Sequence, residues 1–345
     1  MTPSTPAPSP HTMLEQAAAR LAAGGLVAFP TETVYGLGAD AENPSAIARI
    51  YEVKGRPANH PVIVHVAPEV DLAYWAKAVP AEARRLIKAF WPGPLTLILL
   101  RADHIPAAVS GGQDSIGLRC PSDPTAQALL RLFARAKASG QGGVAAPSAN
   151  KFGQVSPTTA QHVHDEFPEL DATQLLVLEG AASEVGLEST IVDLSRLEQG
   201  VGPVLLRPGH ITAADIETVL GVRLREPDAA APQVSGSLKA HYAPHTPLSL
   251  VSVADMAQIV DQADPALGRL AAVVFEIPNH VAAENVDWHL ADSHPRQYAR
   301  NLYALLRRLD QRGYARILLE RPPQDDAWQA VNDRIGRAAA AFASQ

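Results

Sequence analysis

The stretch KGRPANHPVIVH, residues 54 to 65, sets Lys54, Arg56 and His60 against the apolar run Val62-Ile63-Val64. Pro57 and Pro61 stiffen this loop, so its cations are held in place. An arginine held this way grips a phosphate or carboxylate in a fork, and a lysine adds a point charge. A K-x-R by itself is more often a solvated loop, so its neighbours decide. FPTETVYGLGADA (29–41) places hydroxyls and a carboxylate just after a strand, where open α/β sheets hold ligands, although a turn whose threonines cap a helix reads the same. DSIGLRCPSDP (114–124) sets Arg119 near the end of a short strand. AAPSANKFGQVSPTT (145–159) is a loop able to offer hydroxyls and backbone N–H groups to oxyanions. GLESTIVD (186–193) and LLRPG (205–209) complete the inventory. Lys54, Arg56, Arg119 and Arg207 are then available for anions, with hydroxyls from Thr33, Ser148, Ser156 and Ser189. His65, inside the strand VIVHV on the face opposite Val64, reads in isolation as a satisfied core residue. The chain carries no P-loop pattern, no dinucleotide fingerprint, no G-x-S-x-G and no metal-ligand spacing. The set points to a multiply charged small molecule, with a nucleotide the leading candidate.

Elements able to position these groups follow from the pattern. LEQAAARLAA, ended by Gly24-Gly25, predicts a helix over 13–23, and LVAFP (26–30) a buried strand stopped by Pro30. Helices are expected over 44–53, 80–90, 125–138 and 212–220. Strands are expected at 62–66, 94–100, 175–180 and 189–195, with further ones in SIGLRCP, GGVAAPSAN and VLLRPG. This alternation gives an α/β domain with a sizeable sheet. From Glu226 the composition shifts to Ala, Pro and Ser without periodicity, as in a linker. LSLVSV (248–253), AAVVFEI (271–277) and ARILLE (315–320) then predict strands of a smaller α/β unit. The helix RQYARNLYALLRRLDQRG between the last two carries Tyr298, Leu302, Leu305 and Leu309 on one face, with its arginines expected in solvent. The division reads as a disordered tail over 1–11, a larger α/β domain over 12–225, a linker over 226–247 and a C-terminal domain over 248–345.

A length of 345 residues suits two domains. A net charge of -7 argues against a protein that coats nucleic acid, without excluding a local basic pocket. Cys120 is the single cysteine, which rules out an internal disulfide or a cysteine-built zinc site and fits a cytoplasmic location. The opening MTPSTPAPSPHT lacks the features of a secretory signal, and no apolar run is long enough to span a membrane.

Taken together, FPTETVYGLG, K-G-R-P with P-V-I-V-H, FWPGPLT, IGLRCP, APSAN followed by SPT, GLESTIVD, LLRPG and the linker's HYAP stand in an order that resembles the L-threonylcarbamoyladenylate synthases in their long, two-domain form. The resemblance spans about residues 12 to 245; the remainder matches by size and α/β character. It implies a YrdC-like twisted mixed sheet flanked by helices, followed by a smaller Rossmann-like domain. It implies a nucleotidyltransferase that converts ATP, L-threonine and bicarbonate to threonylcarbamoyl-AMP, pyrophosphate and water, with Mg²⁺ on the phosphates. A tRNA threonylcarbamoyl transferase complex would then modify adenosine 37 of tRNAs reading codons that begin with A, and tRNA itself would be at most a weak partner. Carried over by position, Arg56, His60, Ser115, Ser148, Ser156, Arg207 and Tyr242 would contact ATP. Thr33, His65, Arg119, Ala146 and Ser189 would surround threonine, and Lys54 and Arg56 would act electrostatically, with no general base assigned. Tyr242 lies in the linker, so the linker is expected to close over the nucleotide as a lid. Val62 stands where Leu is common, and SGSLKAHYAP where many members open Pro-Gly-Met.

Rival readings are an RNA-binding module, a carbamoyltransferase of metallocentre maturation and a non-catalytic ATP sensor. The acidic balance and scarce aromatics weigh against the first. The single cysteine weighs against the second, and the full set of threonine-side residues against the third.

Overall fold

A computed structural model describes residues 9–278 and 285–343. Its N-terminal half is built on one nine-stranded sheet, and its C-terminal half on a four-stranded one. In chain order the first sheet contains β1 (Leu26–Phe29), β2 (Gly36–Asp40), β3 (Ile63–Val66), β4 (Leu95–Leu100), β5 (Ser115–Arg119), β6 (Gly143–Ala145), β7 (Leu175–Val177), β8 (Thr190–Asp193) and β9 (Val204–Arg207), arranged β7-β1-β2-β6-β3-β5-β4-β8-β9. Pairings are mixed: β3–β5 and β4–β8 run parallel, while β1–β2, β3–β6 and β4–β5 run antiparallel. Around it lie α1 (Pro10–Ala22), α2 (Pro44–Lys54), α3 (Leu72–Trp75), α4 (Ala81–Phe90), α5 (Pro124–Ala136), α6 (Ala160–Glu166) and α7 (Ala213–Leu220). Strands such as LTLILL are apolar almost throughout because nearly every one of their residues is buried.

Local signals set the boundaries. Ser9 caps α1 by accepting from Thr12 N, so the helix begins inside the tail expected over 1–11; residues 1–8 of that tail lie outside the described residues. Asn43 caps α2 with Pro44 in its first turn, and Thr212 and Asp215 form a reciprocal capping box on α7. Residues 36–40, where no strand was expected, form β2.

The C-terminal sheet is all parallel, in the order β10 (Leu248–Val251), β13 (Arg316–Glu320), β11 (Leu270–Val274), β12 (Val286–Leu290). It packs with α8 (Val253–Asp261), α9 (Pro295–Asp310) and α10 (Gln329–Ala340). The last residues of the expected 248–345 domain, 344 and 345, and residues 279–284 lie outside the described residues. Residues 226–247 contain no helix or named strand.

The two halves meet along α9, α10 and the loop before β8. One buried cluster joins Val34, Val155 and Leu187 of the first half to Tyr298, Leu302, Tyr303 and Ile335 of the second, through Tyr242 of the linker. At Gly186 (φ +76°) an added Cβ would stand 2.4 Å from the Arg300 carbonyl oxygen, so α9 approaches the loop as closely as backbone allows. The arginines of α9 are not all in solvent, as the sequence led us to expect. Arg307 donates to Glu166 Oε2 at 2.7 Å and to the Val155 carbonyl, tying the domains together.

Candidate active site

The site begins where β3 and β5 run side by side. Their register sets His65 opposite Arg119, and both are buried. Arg119 is committed on three sides: Nη2 to Glu32 at 2.6 Å, Nη1 to Thr33 Oγ1 at 2.8 Å and Nε to the Gly93 carbonyl at 3.3 Å. Thr33 is held in turn by Thr31, whose hydroxyl also donates to the Val34 carbonyl at 2.6 Å. This TET turn therefore does more than cap. It fixes a guanidinium and a hydroxyl as one rigid corner. Burial, and then the Arg119 charge, hold His65 down to about 3, so its ring is neutral, and Nδ1 has no protein partner.

Ser189 Oγ links this corner to the next. It shares a 2.7 Å hydrogen bond with Thr96 Oγ1 and accepts from Arg207 Nη2 at 3.1 Å. Arg207 also donates from Nε to the Ser189 carbonyl at 3.0 Å and from Nη1 to the Ser235 carbonyl at 2.9 Å. Across the cavity Arg56 donates from Nη2 to the Pro61 carbonyl at 2.7 Å and to Ser235 Oγ at 3.2 Å, leaving Nε without a partner. Burial lowers the Arg56 guanidinium to about 10 and shifts Arg207 the same way. Among the described residues neither has a carboxylate within ion-pair distance, although each lies within a tenth of full burial. Buried cations without counter-ions mark a place built for an anion.

The linker closes this space. Ser235 bridges Arg56 and Arg207, Gln233 N donates to Gln113 Oε1 at 2.8 Å, and Ala243 N donates to the Gly153 carbonyl at 2.9 Å. Tyr242 adopts φ +61° and is 1% exposed, with its hydroxyl unpartnered. Its ring lies against His241, Tyr303 and the Arg334 guanidinium, the last 5.4 Å from the ring centroid. About 40 Å³ of free space remains inside. That is far below the roughly 300–1,000 Å³ of a typical small-molecule pocket, so the linker as placed leaves room for little beyond water.

Of the residues singled out from sequence, Arg56, Ser148, Arg207, Tyr242, Thr33, His65, Arg119, Ala146 and Ser189 line this one cavity. Four do not. Lys54 is buried and donates to the Ser148 carbonyl at 2.6 Å and to that of Asn150, anchoring the 145–159 loop to the end of α2. Burial, then repulsion from Arg56, hold its amine well below the usual lysine range. His60 stands at the rim, its ring edge-on to Phe152 at 5.3 Å. Ser115 lines a smaller neighbouring pocket with Pro61, Gln113 and Ser235. Ser156 lies behind the wall and donates to Glu188 Oε1 at 2.6 Å. Sequence reasoning passed over Glu188, Ser235, Gly236 and His241, which also line the cavity. Glu188 stood in a quoted motif, GLEST, but nothing local told which way its carboxylate points.

Among the described residues no group of three or more His, Cys, Asp and Glu converges to hold a metal ion. The carboxylates beside the cavity, Glu32 and Glu188, are each paired to an arginine.

Comparison with known proteins agrees with this architecture. The family described as "Telomere recombination" (Sua5–YciO–YrdC) matches residues 19–209, and "Threonylcarbamoyl-AMP synthase, C-terminal domain" matches residues 211–340. The threonylcarbamoyl-AMP synthase of Pyrococcus abyssi is 35% identical, over 91% of this chain and 90% of its own. That of Bacillus subtilis is 37% identical, over 94% of this chain and 92% of its own. The crystal structure of P. abyssi Sua5 complexed with L-threonine superposes with a TM-score of 0.82 at 34% identity, covering 96% of this chain and 95% of that one. With both domains matched in order and nearly the whole length aligned, this chain belongs to the threonylcarbamoyl-AMP synthase family, in its two-domain form.

Proposed function

We propose that this protein is a nucleotidyltransferase that makes L-threonylcarbamoyl-AMP from ATP, L-threonine and bicarbonate, releasing pyrophosphate and water. The observation that carries the reading is the pair Arg56 and Arg207, buried on one cavity without counter-ions and beside the Arg119–Thr33–His65–Ser189 corner. The corner has the scale and polarity for a small amino acid, and the two guanidiniums, which have no carboxylate partner, suit a triphosphate. Threonine's neutral amine attacks the bicarbonate carbon, and water leaves. A carbamate oxygen then attacks the α-phosphorus, and pyrophosphate departs. Both partners of the second step are anions, so positioning and charge neutralisation carry most of the rate. Arg56 and Arg207 supply that field once Ser235 releases them. Mg²⁺ accompanies the nucleotide on its phosphates. The closed linker keeps water from a labile mixed anhydride.

The product serves, on this reading, a tRNA threonylcarbamoyl transferase complex acting in the cytoplasm at position 37 of tRNAs that read codons beginning with A. Contact with tRNA itself is weak, in line with the net charge of -7. Among the described residues no helix is long and apolar enough to cross a membrane. The test is pyrophosphate release from ATP with Mg²⁺, with and without threonine and bicarbonate. Release that requires both, with threonylcarbamoyl-AMP identified by mass spectrometry, is the expected result. Turnover without threonine, or no turnover at all, overturns the reading.

A further inference from the structure

Glu188 is the one acidic side chain among the described residues lining the cavity. It belongs to the catalytic domain, yet its counter-ion comes from the other one. Arg334, on α10, is fully buried and donates from Nε to Glu188 Oε2 at 2.8 Å and from Nη2 toward the Glu188 carbonyl at 3.3 Å. Tyr303, on α9, donates to the same carboxylate at 2.9 Å. The Arg334 guanidinium also lies against the ring of Tyr242, one of the linker residues that line the cavity. One side chain of the second domain therefore touches both the acidic spot and the aromatic part of the cover.

We propose that Arg334 is a positioning residue of the active site: it neutralises Glu188, so the cavity accepts a polyanion only with the C-terminal domain docked. The proposal rests on the ATP reading above. Without Arg334, a buried carboxylate would face the incoming phosphates, and the field of Arg56 and Arg207 would be partly cancelled. A merely structural ion pair would behave differently. Its loss would loosen the domain interface whatever the charge state of Glu188.

The test compares wild type, E188Q, R334M and R334M/E188Q by threonine- and bicarbonate-dependent pyrophosphate release. R334M is expected to raise the ATP KM at least about tenfold, with the threonine KM changing by less than about threefold. The groups facing Glu188 are Arg334 and Asp333 from α10, Tyr303 from α9, Tyr242 and His241 from the linker, Arg207 from β9 and the Ser156 hydroxyl. Burial pushes both tyrosines up and His241 down to about 3, so these three stay neutral near pH 7. In R334M burial still raises the Glu188 carboxyl while the largest of the causes holding it down is lost, so the ATP KM falls as pH drops and a proton on Glu188 replaces the missing cation. With Glu188 already neutral, Arg334 becomes dispensable for ATP: the KM of R334M/E188Q lies within about threefold of E188Q. A larger gap overturns the proposal, and this comparison stands even if R334M alone does not fold. A wild type that releases no pyrophosphate sinks the functional reading instead. The charge relation is then still read without substrate: relative to R334M/E188Q, the thermal midpoint of R334M is depressed more at about pH 8 than at about pH 5. Equal depression at both overturns it.

Discussion

Gly236 is the point at which the linker presses hardest on the site. It has φ +78°, and a Cβ built there would lie 1.9 Å from the Tyr242 hydroxyl, 3.0 Å from Cζ and 3.3 Å from Arg207 Nη1. Tyr242 cannot yield, because His241, Tyr303 and Arg334 hold its ring. In Gly236→Ala the linker must lift. Left-handed backbone costs a non-glycine residue about 1–2 kcal/mol, and the clash adds to that. The bonds opposing the lift are chiefly those from Arg56 and Arg207 to Ser235, each worth about 1.5–3 kcal/mol with a charged donor. On the proposed function ATP breaks the same bonds to enter, so a linker already loosened by about 1–2 kcal/mol should let ATP bind about 5- to 30-fold more tightly. The assay is calorimetric titration with a non-hydrolysable ATP analogue, threonine absent, alongside the ratio of threonylcarbamoyl-AMP to pyrophosphate in turnover. That ratio should fall, because the loosened cover admits water to the product. An unchanged or weaker affinity in a folded variant would refute the idea that the resting linker occupies the nucleotide's place.

Other perturbations separate the parts of the site. Thr33→Val leaves Arg119 Nη1 without its 2.8 Å partner; an unsatisfied buried donor costs about 1–3 kcal/mol. Steady-state kinetics should show a raised threonine KM and a nearly unchanged ATP KM. Tyr242→Ala should change both the ATP KM and kcat; if neither moves, the linker is not a lid. His65 and His241 are held neutral near pKa 3, chiefly by burial, so the native state binds fewer protons than the unfolded chain. Their contribution to stability is complete above about pH 6.5 and lost as pH falls towards 3, roughly 1.4 kcal/mol per pH unit for each. Urea midpoints at about pH 7 and 5 test this, and replacing His241 with Gln should flatten the dependence. Arg307→Met breaks a part-buried tie to Glu166 and should cost about 3–5 kcal/mol, largely recovered in Arg307→Met/Glu166→Gln.

Much of this arrangement is legible in the sequence. LTLILL and LLVLEG announce strands because burial on both faces leaves no room for alternation. β2 was hidden for the opposite reason. A Cβ at Gly38 would stand 2.8 Å from both Phe29 and Val144, so the strand is made of residues that elsewhere signal a turn. Within the site, the crowding of cations near prolines pointed to Arg56, but it could not separate Arg56 from Lys54. The acceptors of Lys54 are backbone carbonyls nearly a hundred residues away, and no side-chain pattern records them. The arginines of α9 and α10 pose the same difficulty across domains. A helical arginine reads identically in sequence whether it meets water or a carboxylate of the other domain, and only the fold brings Arg307 to Glu166 and Arg334 to Glu188.

Those pairs also bear on why the joint between the domains is polar at its centre. Breaking a buried ion pair is costly, whereas replacing both partners with well-packed apolar groups is often neutral or stabilising. Stability alone therefore gives no reason to place Glu188, Arg334 and Tyr303 inside the interface. Charge at this spot becomes intelligible once Glu188 is seen to be shared between the docking surface and the cavity wall. An apolar joint would hold the domains equally well, but it would leave the electrostatics of the cavity indifferent to whether they are docked.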